Sequence, residues 1–106
     1  MSGRKPLNSV DAVVEALCLD FERRARIICD GTATHRTVME LRYLNYKILT
    51  AVEEIVGVGR ATTMISDIAE GRGYAKTEFP DSSERDYKIK KRLVKDSIAR
   101  ALHLVD

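Results

Sequence analysis

Between Arg85 and Lys95 the chain carries six bases (Arg85, Lys88, Lys90, Lys91, Arg92, Lys95) and one acid, Asp86, whereas the other 95 residues hold 12 bases and 15 acids. The net charge of +2 therefore belongs to this short segment. At about 100° per residue, Arg85, Lys88, Lys91, Arg92 and Lys95 fall on one side of a helix, with Lys90 apart. Arg85 to Lys95 then spans about 15 Å of helix, enough to follow several phosphates in a groove of duplex DNA. Ser82 and Ser83 stand at the start of the same helix, where unpaired amides and the helix dipole favour an anion. A solvated helix face can have the same composition, so the charge pattern defines two readings, a phosphate-binding face or a solubilising one.

A second constellation is Val56-Gly57-Val58-Gly59-Arg60-Ala61. It resembles the hairpin of helix-hairpin-helix modules, in which a Gly-x-Gly turn between two helices offers backbone amides to a DNA phosphate. The resemblance implies phosphate contacts at Gly57 and Gly59, with Arg60 adding charge; a plain helix break is the other reading. Tyr43, Tyr46 and Tyr74 are of a type that stacks on bases, or that borders helix packing. Arg23, Arg24 and Arg26 lie among Asp20, Glu22 and Asp30, which points to a solvated face.

Other chemistry finds no residues. Cys18 and Cys29, eleven positions apart on one helix, would stand about 16 Å apart, beyond disulfide reach, and read as two buried thiols. His35 and His103 have no Cys, His or carboxylate at ligand spacing, so no metal is expected. No nucleophile is paired with a histidine, there is no Walker-type loop, and Glu53 and Glu54 point about 100° apart on a helix. The expectation is a non-enzyme without cofactor or small-molecule substrate.

The elements that must position these residues are helical throughout. Asn8 or Ser9 can cap a first helix with the stripe Val10, Val13, Val14, Leu17, Phe21, Ala25 and Ile28, ending at Gly31. Thr34 or Thr37 can cap a second, with Thr37 and Glu40 at capping-box spacing and Val38, Leu41, Leu44, Ile48, Val52 and Ile55 on one face. A third runs from about Arg60 to Glu70 with Ala61, Met64, Ile65 and Ile68 on one side, and Gly71 ends it. The fourth is capped by Asp81, Ser82 or Ser83, with Asp81 and Glu84 again at box spacing. It turns Tyr87, Val94, Ile98, Ala101 and Val105 to one face. The expected fold is all-α: four helices, the first two forming a long antiparallel hairpin across a short link, then a short helix and the basic C-terminal helix.

Size and composition agree. At 106 residues, 44% apolar and 32% charged, the chain reads as one globular domain over 1–106, with a flexible N-terminus at 1–7 and a loop at 71–81. No apolar run approaches the roughly 20 residues that cross a bilayer, and MSGRKPLNS lacks a signal peptide's apolar stretch, so the expected location is the cytoplasm.

SERDYKIKKRLVKDSIARALHL resembles the C-terminal helix of phage late-gene transcriptional regulators whose DNA-binding part is similar to region 4 of sigma factors. The matching positions are Ser83, Glu84, Tyr87, Lys90 and Lys91, with Ile98, Ala99, Ala101 and Leu102 as the tail. The resemblance implies a recognition helix of a helix-turn-helix and a small DNA-binding regulator of phage or prophage origin. The eleven residues from Gly71 to Asp81 depart from the turn of about 3–4 residues such motifs use. The expected partner is duplex DNA, with Arg85, Lys88, Lys91, Arg92 and Lys95 on phosphates or base edges. The competing expectation is a helical protein-interaction module, an adaptor or inhibitor assembling as a homodimeric bundle through the stripes of the first two helices.

Overall fold

Thr34 and Gly57 bracket the longest helix, α3 (His35–Val56). The Thr34 hydroxyl accepts the Thr37 amide at 3.2 Å, capping one end. At the other end Gly57 has φ +85° and ψ 163°, a conformation essentially restricted to glycine, and its amide donates to the Glu53 carbonyl. The computed structural model describes the backbone of residues 5–105 and the side chains of residues 9–105. Its other helices are α1 (Lys5–Leu19), α2 (Phe21–Asp30), α4 (Ala61–Glu70) and α5 (Glu84–Ala101), with a 3-10 turn, Val58–Arg60, leading into α4. The class is all-α, as the stripes require.

α3 is the hub: it packs on α2, α4 and α5, while α1 packs on α4 and α5. The buried side chains join in one cluster that includes Val14 and Cys18 of α1, Ile48 and Val52 of α3, Met64 and Ile68 of α4, and Tyr87, Val94 and Ile98 of α5. Among the described residues no helix is long and apolar enough to cross a membrane.

The first block differs from its expected form. The sequence predicts one continuous helix from Asn8 or Ser9 to about Gly31; the helix already runs from Lys5 and is divided at Asp20. The flexible N-terminus expected over 1–7 thus overlaps α1, and residues 1–4 lie outside the described residues. Backbone bonds still cross the division, from the Asp20 amide to Ala16 (3.1 Å) and from the Arg24 amide to Asp20 (2.8 Å). Arg24, expected on a solvated face, is 6% exposed. Its guanidinium donates through Nη2 to the Leu17 carbonyl and through Nε to Asn45 Oδ1, both at 2.6 Å. In an unbroken helix that carbonyl would accept the Phe21 amide, so Arg24 supplies the donor that the division displaces. Asn45 in turn donates to the Phe21 carbonyl at 3.1 Å. The two bonds with Asn45 fasten α2 to α3 and the one to Leu17 ties α2 to the end of α1, which diverges towards α4 and α5, so only the α2 half of the first block packs along α3.

The segment between α4 and α5 is irregular yet packed. Gly71 (φ +69°) ends α4. Phe79 is buried edge-on against Tyr87 (ring centroids 5.0 Å), and Tyr74 lies 5.7 Å from the same ring. Tyr74 donates its hydroxyl to the Ser82 carbonyl, and Tyr87 donates to Asp67 Oδ2, both at 2.7 Å. Asp67 is fully buried and also accepts Arg72 Nε at 3.1 Å. The loop is thus a plug seated on one aromatic ring and one buried carboxylate.

Candidate nucleic-acid interface

Ser83 starts α5 by accepting the Asp86 amide at 3.1 Å, so the capping-box pair Asp81 and Glu84 is not what caps it. With Tyr87, Val94, Ile98 and Ala99 buried below, the helix is held in one rotational setting. Val105, expected on the buried face, lies beyond the helix and is exposed. That setting sorts the bases of the stripe by what each one touches.

Arg85 is exposed and forms no ion pair among the described residues. Lys88, one turn on, reaches Glu84 at 3.3 Å, with both side chains mostly in solvent, an i,i+4 pair of little energetic weight. Arg92 is engaged by two acids. Its guanidinium grips Asp11 of α1 through both Nη atoms, at 3.0 and 2.7 Å, and Nη2 also meets Asp96 at 3.0 Å. The hydrogen bonds from Arg92 hold the Asp11 carboxyl below the usual carboxylate range, and those to Asp11 push the guanidinium further up.

Two members of the stripe do not face solvent as expected. Lys95 is bound to Glu15 of α1 at 3.1 Å, and its side chain is 16% exposed. Lys91 donates to the Arg72 carbonyl at 2.6 Å and lies over the Tyr87 ring, and burial lowers its pKa. Both lean towards the core because their positions on the helix border Tyr87 and Ile98 rather than oppose them. Lys90 donates to Ser82 Oγ at 3.3 Å. Of the residues that carry the resemblance to sigma-like regulators, Tyr87, Lys90 and Lys91 therefore fasten the loop that precedes α5.

The Gly-x-Gly hairpin is only partly available for a phosphate. Gly57 donates its amide to Glu53, Arg60 to Gly57 (3.3 Å) and Ala61 to Val58. Gly59 is exposed, with nothing within 4 Å of where a side chain would start, so no close packing demands glycine there. Arg60 lies 3.8 Å from Asp81, two residues before the α5 cap. That pair brings Arg60 to the same end of the molecule as Arg85 and Lys88.

The arrangement brings Arg85, Lys88 and the partly buried Arg60 to one end, beside the exposed acids Asp81, Glu84 and Asp86, and two bases that α1 already holds continue along α5. Ile89 and Leu93 are exposed on the same helix, so its outer face is basic and apolar together. The acids Asp11 and Glu15 were not among the residues the charge pattern singles out. Their signal is their i,i+4 spacing on either side of Val14, a fully buried residue.

Elsewhere the chemistry is sparse. Burial pushes the Cys18 thiol up to about 12, which leaves it protonated and unreactive, whereas Cys29, expected to be buried, is exposed. Among the described residues no three His, Cys, Asp or Glu side chains gather as for a metal ion. No protein-family model, no curated protein and no solved structure matches this chain.

Proposed function

We propose that the chain binds duplex DNA through the outer face of α5, with Arg85 and Lys88 on phosphates and Arg60 as a flanking contact. The carrying observation is that Arg85 and Lys88 project into solvent from the first turns of a rigidly seated helix, at the end where Arg60 also lies. Lys91 takes a structural place in this reading, Arg92 and Lys95 are held by acids of α1, and Gly57 and Gly59 supply a turn that sets Arg60 in position. The resemblance to phage late-gene regulators supports transcription regulation in the cytoplasm as the setting, with phosphate contacts giving position rather than sequence choice.

Affinity for a mixed-sequence duplex is expected to fall with salt, with a log–log slope of about −0.9 per phosphate neutralised. The variant R85E/K88E is expected to neutralise two phosphates fewer, so its slope should be shallower by about 1.8 and binding should vanish at moderate salt. Fluorescence anisotropy of a labelled duplex measures both. No binding by wild type at 50 mM salt, or equal binding by the variant, would remove this function.

One observation favours a second reading, a homodimeric interaction module. The stripe of α3 is fully buried at Ile48 and Val52, but at its other end Val38, Leu41 and Leu44 are only half-buried, as are Ala25, Ile27 and Ile28 of the facing α2. Met39, Tyr43 and Tyr46 are exposed on the same arm. A two-helix arm cannot bury its own apolar face, and a second copy would complete it. Sedimentation at high micromolar concentration should then give a dimer; a monomer sets this reading aside.

A further inference from the structure

We propose that Asp11 and Glu15 of α1 are built-in competitors for phosphate, holding down the affinity of the α5 face for duplex DNA. The inference rests on the duplex reading above and concerns the regulation of the same face. Asp11 and Glu15 lie four residues apart on α1, Arg92 and Lys95 three apart on α5, and the two pairs form side by side. Val14 between the acids is fully buried, which fixes α1 so that its carboxylates stay over α5.

The geometry is that of anion recognition. The Asp11 carboxylate meets the Arg92 guanidinium with two oxygens on two nitrogens, the fork that a phosphate would use. While it is so held, Arg92 cannot offer that fork to a nucleic acid, and Lys95, mostly buried with its charge opposed by Glu15, attracts a phosphate less strongly. The Arg92, Asp96 and Glu15 side chains are each nearly half exposed while Asp11 and Lys95 are mostly buried, so these pairs help to dock α1 on α5 and also decide what the two bases can bind. The exposed pair Arg85 and Lys88 provides contact in every state, and Arg92 and Lys95 join when the acids are neutralised or outcompeted.

The test is duplex binding by wild type and D11N/E15Q, with E22Q/E78Q as a control that removes the same charge from two exposed acids elsewhere. Asn and Gln keep acceptors for Arg92 and Lys95, and circular dichroism checks the fold; should the double variant not fold, E15Q alone replaces it, since Glu15 is a surface residue. Neutralising two further phosphates steepens the salt slope by about 1.8, so the advantage of D11N/E15Q over wild type should grow about tenfold between 200 and 50 mM salt. Binding by D11N/E15Q at 200 mM salt, where wild type has already lost it, also supports the proposal. Wild-type binding with no gain in D11N/E15Q, or an equal gain in E22Q/E78Q, overturns it and leaves the duplex reading intact. Absence of binding by every variant overturns both.

Discussion

Replacing Ile48 with aspartate abolishes the cooperative thermal transition of the domain. Ile48 is fully buried near the middle of α3, the helix on which α2, α4 and α5 converge, so no rotation of the side chain can carry a carboxylate to water. Losing the isoleucine packing alone costs about 2–5 kcal/mol, and an unpaired buried charge adds several more. Against a total stability of about 5–15 kcal/mol, the sum exceeds what a domain of this size can lose. Ile48→Val, which removes one methyl, should cost only about 0.5–1.5 kcal/mol and retain the transition. Circular dichroism during heating reads both. A retained transition in the aspartate variant would mean that the α3 stripe does not face the core.

That stripe was legible because a helix of 22 residues repeats its pattern often enough to fix a face, and the same holds for Tyr87, Val94 and Ile98 on α5. Gly31 and Gly71, both at positive φ, end helices where a glycine after a periodic run should. What escaped depended on partners far away in sequence. Arg24 has the same acidic neighbours as Arg23 and Arg26; Asn45, 21 residues on, and the Leu17 carbonyl freed at the division distinguish it. The division at Asp20 has no glycine or proline to mark it, and it stands because Arg24 satisfies the carbonyl it leaves over. The charge count identified the basic segment but not its acidic partners, because Asp11 and Glu15 lie about 80 residues from Arg92 and Lys95 and meet them only once α1 and α5 pack. A stripe read from one helix alone shows which bases share a side, not which of them another helix has already claimed.

Periodicity is silent on the loop before α5, and its packing follows from aromatic residues instead: Tyr74, Phe79 and Tyr87 are half of the six aromatics in the chain. Their seating makes Asp67 the second residue whose loss should be severe. Asp67→Ala leaves the Tyr87 hydroxyl with only a 3.4 Å contact to the Arg72 carbonyl, and it removes one of the three partners of the Arg72 guanidinium, Ser66 and Glu70 being the others. Arg72 is half exposed and recovers water, so the penalty comes mainly from the buried hydroxyl and the loosened plug, about 3 kcal/mol in all. Urea unfolding should show it as a lower midpoint with an unchanged slope. Removing the hydroxyl as well should recover part of the loss: Tyr87→Phe is expected to cost far less in the Asp67→Ala background than in wild type, because the two groups serve each other. Equal costs in both backgrounds would show that the bond does not hold the loop. The consequence reaches the basic face, since Ser83, the α5 cap, ends this loop, and Arg85 and Lys88 follow within two turns. Asp67→Ala should therefore also weaken duplex binding, although it removes no base and lies wholly inside the protein.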